Sequence, residues 1–186
     1  MAYIPRLDST GIQNNPKWYA QNPFYQSGYG LPNCTCYAWG RFWEISDPLS
    51  TGANRPNLSL GNAKEWWAYT QDGYERGQVP KLGATICFAP DPSSTRVGHV
   101  ATVEAIGANG VIKTSNSDYP TQGNPQGRYF YTEILTPDSN GKYHHDVYTS
   151  QGFIYNPFAE QPVPPTPTKK REKFPWVLYA RKIRSV

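Results

Sequence analysis

Between Asn33 and Ile45 the apolar positions include Cys34, Ala38, Phe42 and Ile45, spaced by four, four and three residues, which places them on one face of a helix. Asn33 is a natural N-cap for that helix, and Asp47-Pro48 should end it, because the residue before a proline is biased away from helical geometry. A second helix of two to three turns is expected from Asn62-Ala63-Lys64-Glu65, an N-cap with a glutamate three residues on, followed by Trp66, Trp67 and Tyr69 and stopped near Asp72-Gly73. Beyond Gly83 the period becomes twofold. Residues 84–89 are a short apolar run, 99–106 alternate, Gly107-Ala108-Asn109-Gly110 is a hairpin signal and 111–115 return; 128–135 and 151–155 supply further strands. Helices first and an antiparallel sheet afterwards predict an α+β domain with its N-terminal helices packed on the sheet.

The flanks follow no such pattern. Residues 1–32 are dense in Pro, Asn, Gly and aromatics and lack a sustained period. Residues 1–29 are read as an irregular tethered segment, with one short helix near Asn15-Pro16-Lys17-Trp18-Tyr19, where Pro16 suits the first helical position. From Glu160 the composition breaks. Residues 160–168 form a proline-rich linker and 169–186 a basic amphipathic tail, so the domain is set at 1–159 with a core at about 30–157.

Charge sharpens that division. Residues 1–159 hold 11 Lys and Arg against 12 Asp and Glu, whereas 160–186 hold 7 against 2. The domain therefore carries no nucleic-acid footprint, and the basic character belongs to the tail, which suits an anionic polymer, a membrane surface or a partner protein. A hydrophobic content of 38%, a mean hydropathy of −0.67 and no apolar run near the 20 or so residues of a bilayer span describe a chain that stays in water. The N-terminus lacks the basic start and apolar middle of a signal peptide, so action outside a cell would require delivery by something other than its own leader.

Three cysteines are too few for a disulfide framework, and no Cys/His set has zinc-ligand spacing. His144-His145-Asp146, in a loop flanked by Gly, Asn and Ser, reads as solvated; no metal or cofactor is expected. Cys87, centred in an apolar run, reads as core. Cys34 differs, because a thiol in the first turn of a helix sits among unpaired N–H groups at the positive end of the dipole, where the thiolate is favoured. Cys36 lies about 200° round the helix, so both sulfurs cannot point into one site. His99 opens an alternating strand beside the loop 91–97, where a base can face a cleft while the strand holds it. The hairpin returns Ser115-Asn116-Ser117-Asp118 beside it, with Asn116 and Asp118 on one face. A helix-mouth Cys, a strand-borne His and a polar orienter form the papain type of site, known by roles rather than chain order.

The motifs carry a resemblance as well. Cys34-Thr35-Cys36-Tyr37-Ala38, Asn62-Ala63-Lys64-Glu65-Trp66, Pro80-Lys81-Leu82-Gly83-Ala84 and Gly98-His99-Val100-Ala101-Thr102-Val103-Glu104 follow one another as in the CHAP family, and Gly152-Phe153-Ile154-Tyr155-Asn156-Pro157 resembles its closing strand. These cysteine, histidine-dependent amidohydrolases/peptidases cut bacterial peptidoglycan. The resemblance implies a papain-like fold, Cys34 as nucleophile, His99 as base and Asn116 as orienter with Asp118 as substitute. It also implies a phage endolysin or virion-associated lysin, held in a phage virion or host cytoplasm before release and acting at the bacterial cell wall as an N-acetylmuramoyl-L-alanine amidase or a wall-peptide endopeptidase, its tail meeting anionic wall polymer, a membrane surface or a phage protein; the rival is a non-catalytic wall-binding or phage-tail module on the same fold. Where members often place a glutamate to orient the histidine, this chain has Asn116, which fixes a tautomer without lending charge. The carboxylate-rich calcium loop of some members is missing from Gly28-Tyr29-Gly30-Leu31-Pro32-Asn33, so calcium is not implied. Tyr29, Tyr37, Trp39 and Tyr119 are candidates to line the substrate groove.

Overall fold

The helix expected after Asn33 is α2, Cys34–Ser46, and it starts where the capping chemistry puts it. Asn33 Oδ1 accepts from the N–H groups of Thr35 at 2.8 Å and Cys36 at 3.1 Å, two of the donors that a first turn leaves unpaired. In this computed structural model, which describes residues 3–161, α2 is buried on nearly every side: all residues from Thr35 to Trp43 are inaccessible to solvent. It is the spine on which the rest is hung. No helix among the described residues is long and apolar enough to cross a membrane.

The preceding segment is irregular, as expected, yet it belongs to the core. Ile12 and Trp18 are fully buried against Tyr37 of α2, and Trp18 Nε1 donates to the Tyr37 carbonyl at 3.1 Å. Gly40 makes this approach possible, since a Cβ there would sit 2.4 Å from the Trp18 ring. The short helix foreseen at 15–19 is only a turn. The helix α1 falls instead at Pro23–Gln26, where Asn22 caps Phe24 N–H and Pro23 occupies the first turn.

The second helix is also a correction. The capping interaction at its start is present, with Glu65 accepting from Asn62 N–H at 3.1 Å, but only single 3₁₀ turns form, at Ala63–Glu65 and Thr70–Asp72. The Arg76 guanidinium takes the carbonyls of Trp66, Trp67 and Tyr69, acceptors that a continuing helix would use, while Asp72 holds it from the other side. Tertiary hydrogen bonds thus replace the helical ladder.

Among the described residues seven strands follow: β1 Arg76–Gly77, β2 Thr85–Ala89, β3 His99–Ile106, β4 Ile112–Asp118, β5 Arg128–Leu135, β6 His144–His145 and β7 Tyr148–Ile154. They pair antiparallel in the order β1-β7-β2-β3-β4-β5, with β6 on β7. Helices before an antiparallel sheet give the expected α+β architecture. One cluster, including Trp39, Phe42, Trp66, Cys87, Val100 and Ile154, joins α2 to the sheet; a second, including Ile86, Phe88, Val103, Ile112 and Phe153, forms on other sheet positions. The strand β6 went unforeseen, because two histidines carry no apolar period.

Between α2 and the sheet lies a buried ion pair. Glu104 of β3, with no exposed surface, accepts from Arg41 Nε and Nη2 at 2.9 Å each, Ser115 Oγ at 2.6 Å, Tyr3 Oη at 2.5 Å and the Arg6 N–H at 2.8 Å. At the other end of the domain the Gln161 side chain pairs with both backbone groups of Leu82, so the first residues of the expected linker are docked. The remainder of that linker and the basic tail at 169–186 lie outside the described residues.

Replacing Glu104 by Ala removes the buried half of the Arg41 pairing, leaving Glu44 and the Ile4 carbonyl as partners, and is expected to cost about 3 kcal/mol. Tyr3→Phe removes one hydrogen bond of the set and should cost about 1 kcal/mol. Urea unfolding of both variants checks the ranking, and a Glu104→Ala loss below that of Tyr3→Phe would contradict it.

Candidate active site

Three devices bring the mouth of α2 to the start of β3. Gly98 has φ +83°, and a Cβ there would lie 2.5 Å from the Phe88 carbonyl oxygen and 2.7 Å from the Lys64 nitrogen, so only glycine lets the chain turn into His99 at this spot. The turn at Asn62-Ala63-Lys64 docks on the same loop, its Lys64 N–H donating to the Val97 carbonyl at 2.9 Å. Ser117 Oγ accepts from the Asn33 N–H at 3.0 Å and donates to the Arg128 carbonyl at 3.0 Å, tying the cap of α2 to β4.

The residues of β4 divide by parity. Ser115 and Ser117 bond to Glu104 and Asn33, whereas Asn116 and Asp118 both reach His99. Asn116 Oδ1 lies 3.0 Å from His99 Nε2, and its Nδ2 donates to Thr114 Oγ1 at 2.9 Å, which fixes the amide so that the oxygen faces the imidazole. His99 Nε2 is therefore the protonated nitrogen, leaving the Nδ1 lone pair unspent. Asp118 Oδ1 is 3.8 Å from Nδ1, but its oxygens are engaged by Tyr131 Oη at 2.7 Å and Arg128 Nε at 2.6 Å.

Cys34 lies in a cleft of about 490 Å³ with Phe24, Tyr29, Asn33, Leu60, Val97 and Tyr119 on its walls. A larger hollow of about 820 Å³, between the N-terminal segment and residues 157–160, holds none of the candidate residues. Tyr29 and Tyr119 are where a groove needs them; Tyr37 and Trp39 are core residues, 0% and 2% exposed. Cys36 is buried and points away, its Sγ donating to the Trp18 carbonyl. Cys87 is buried as expected.

The electrostatics correct one expectation. Burial pushes the Cys34 thiol up to about 11, and Asp118 adds to this, while the backbone of Val100, Thr35 and Cys34 itself pulls the other way without prevailing. Burial and the neighbouring His145 push the His99 imidazole down to about 4, against the bond to Asn116 and the charges of Asp118 and Glu133. At neutral pH both groups therefore favour their uncharged forms. Helix-end N–H groups do stabilise the thiolate, but here desolvation outweighs them.

His145 is the second correction. It is 7% exposed rather than solvated, stacked on His99 with ring centroids 4.2 Å apart and planes at 21°. The ligand atoms of His99, Asp118 and His145 lie within 4.8 Å of one another, close enough to enclose an ion. Nearly parallel stacked rings, however, aim their in-plane lone pairs side by side instead of at one point, so this packing suits a stack and not coordination.

The CHAP domain model matches residues 24–118, half of the chain, and spans all four predicted site residues. The chain belongs to the CHAP domain family. Curated relatives of the domain include "Probable autolysin SsaALP" of Staphylococcus aureus (strain NCTC 8325 / PS 47), 29% identical over 111 residues covering 60% of this chain and 37% of that protein. A second is "Probable autolysin LDP" of the same strain, 30% identical over 92 residues, 49% of this chain and 29% of the relative. The chain thus spans about a third of the length of these relatives. Among solved structures, an N-acetylmuramoyl-L-alanine amidase from Staphylococcus aureus aligns at 22% identity and a TM-score of 0.44, covering 67% of this chain and 31% of the other. Glu133 and His145 lie beyond the matched segment. No sequence period pointed to them; adjacency to His99 is created by strand pairing alone.

The depressed His99 makes a prediction independent of activity. As pH falls from the ordinary value of 6.5 towards 4, the unfolded chain takes up a proton that the native imidazole refuses, so native stability declines through that window. The full loss from this group is about 3 kcal/mol. Urea midpoints measured from pH 7 to pH 4 should show this slope, and His99→Gln should flatten it.

Proposed function

We propose that this CHAP domain hydrolyses an amide bond of bacterial peptidoglycan by covalent thiol catalysis, with Cys34 as nucleophile, His99 as base and Asn116 as orienter. The observation that supports the reading is the hydrogen bond from His99 Nε2–H to Asn116 Oδ1, because it leaves Nδ1 as the basic nitrogen, while the Cys34 thiol meets the backbone of Val100, the next residue along the strand. In the reaction His99 Nδ1 accepts the thiol proton as Cys34 Sγ bonds to the scissile carbonyl carbon. The carbonyl oxygen gathers negative charge, and the backbone N–H of Cys34 at the helix mouth is the donor placed to receive it. The C–N bond then breaks, and the imidazolium returns its proton to the leaving amine. Water, deprotonated by His99, releases the acyl group and restores the thiol. With both groups neutral at rest, proton transfer accompanies attack instead of preceding it.

Likeness to staphylococcal autolysins supports a wall substrate. It extends the reading from a phage lysin, endolysin or virion-borne, to a bacterium's own wall hydrolase; the proposed chemistry is common to these. The bond to muramic acid and a bond within the wall peptide are both amides that this machinery would cut. Tyr29, Leu60, Val97 and Tyr119 offer apolar surface for the substrate on either side of Cys34.

Zymography on purified walls tests the reading. Cys34→Ala should remove all clearing and Cys36→Ser should leave most of it, since Cys36 is spent on packing. Activity lost equally in both, with folding intact, would refute the assignment. A folded protein that binds walls with no cleavage in the wild type would favour the non-catalytic module.

The orienter has its own test. Asn116→Ala should lower turnover by about 10²–10³, because the imidazole loses its tautomer as well as its direction. Asp118→Ala should cost less, as that carboxylate is occupied by Tyr131 and Arg128. Steady-state kinetics on a soluble wall fragment would show the ranking, and the reverse order would transfer the role to Asp118.

A further inference from the structure

Asn116 fixes one in-plane atom of His99, and a single bond in the ring plane leaves the imidazole free to twist about that contact. The twist is stopped from the face. His145 lies 4.2 Å from His99, centroid to centroid, with Phe88 at 6.1 Å as a further ring neighbour. His145 is itself held firmly: its Nδ1 pairs with Glu133 Oε2 at 2.7 Å, its strand pairs with Tyr148, and the rings of Tyr131 and Tyr148 lie nearly parallel to it at 6.5 Å.

Resting on the hydrolase reading above, we propose that the His145–Glu133 pair is a positioning device for His99, one that holds the plane of the imidazole while Asn116 holds its edge. A phenylalanine would stack here without the cost of burying a polar ring, so packing alone gives no reason for a histidine. What the histidine adds is a charge of its own against the ring face, which opposes protonation of His99 and keeps it a free base. When His99 takes the thiol proton it becomes a cation, and Asn116 is neutral. Glu133, held on His145 Nδ1 at 2.7 Å, offsets that opposition from one ring away, because its carboxylate favours the His99 cation. The groups that act on His99 are Asn116 and Asp118 from β4, Glu133 from β5 and His145 from β6; Tyr131 Oη and Arg128 are spent on Asp118. Of these, His145 alone lies against the ring face and can itself become positive.

The sign of its charge effect is fixed. A protonated His145 opposes protonation of His99, so removing it lets His99 take a proton at higher pH. In His145→Phe, which keeps the stack, kcat should stay within about threefold of wild type while the acid limb of kcat/KM moves to higher pH. In His145→Ala, which loses the stack, kcat should fall about tenfold or more with KM changed less than about twofold. Nuclear magnetic resonance titration of the His99 ring gives the same comparison without catalysis: its midpoint should rise in His145→Phe. An unshifted limb and an unshifted His99 midpoint in His145→Phe would overturn the proposal. So would wild-type kcat in a folded His145→Ala; should that variant not fold, the phenylalanine variant decides alone. Stoichiometric zinc that broadens the His99 and His145 resonances in wild type but not in His145→Phe would make the cluster a metal site and overturn it as well. Cys34→Ala run alongside separates the two claims, because residual hydrolysis there defeats the hydrolase reading, whereas an inactive Cys34→Ala with indifferent His145 variants defeats only this one.

Discussion

A carboxylate with no exposed surface sets the terms of this structure. Glu104 is buried because five donors meet it, and those donors come from three places: Tyr3 and Arg6 in the N-terminal segment, Arg41 in α2, and Ser115 in β4. A charge in the interior is tolerated only when its partners are all in place, so the pair acts as a register pin. It sets α2 against β3 and β4 at one height. Cys34 is seven residues, about two turns, before Arg41 on the same helix, and His99 is five residues before Glu104 on the same strand. The proposed nucleophile and base thus stand on elements registered by a contact remote from both.

The site shows the cost of being made from core elements. The helix mouth offers N–H groups that favour a thiolate, and the strand offers a histidine, but both are so far desolvated that each rests neutral. Chemistry then depends on orientation more than on pre-formed charge. Asn116 supplies tautomer and edge, its own amide locked by Thr114; Asp118 is partly neutralised by Arg128 and Tyr131. The carboxylates near the imidazole, Asp118 and Glu133, favour its protonated form without prevailing over burial.

Much of the fold was legible because it rests on local rules. Asn33 as a cap, Asp47-Pro48 as a stop, the alternation from His99 and the turn around Asn109, whose φ of 57° suits asparagine, are each written in a few adjacent residues. The placing of Asn116 and Asp118 on one face needed only the twofold period. Where local rules failed, a distant side chain had intervened: Arg76 took the carbonyls of the second expected helix, and Trp18 docked on Gly40 to draw an aperiodic segment into the core.

By itself, then, the sequence determined which residue types stand at a helix mouth and a strand start, and through their motifs the CHAP family. Those features depend on neighbours in the chain. Tertiary structure alone decided the protonation state of the pair, because desolvation is a sum over everything packed around a group. It alone decided that Tyr37 and Trp39 are core while Tyr29 and Tyr119 face the cleft, since all four are aromatic and only packing separates them. Most of all, it decided the partner of His99. His145 is 46 residues away in a two-residue strand with no pattern to betray it, and pairing with β7 carries it onto the imidazole face. A strand's neighbours are chosen by the whole sheet, and no local period records that choice.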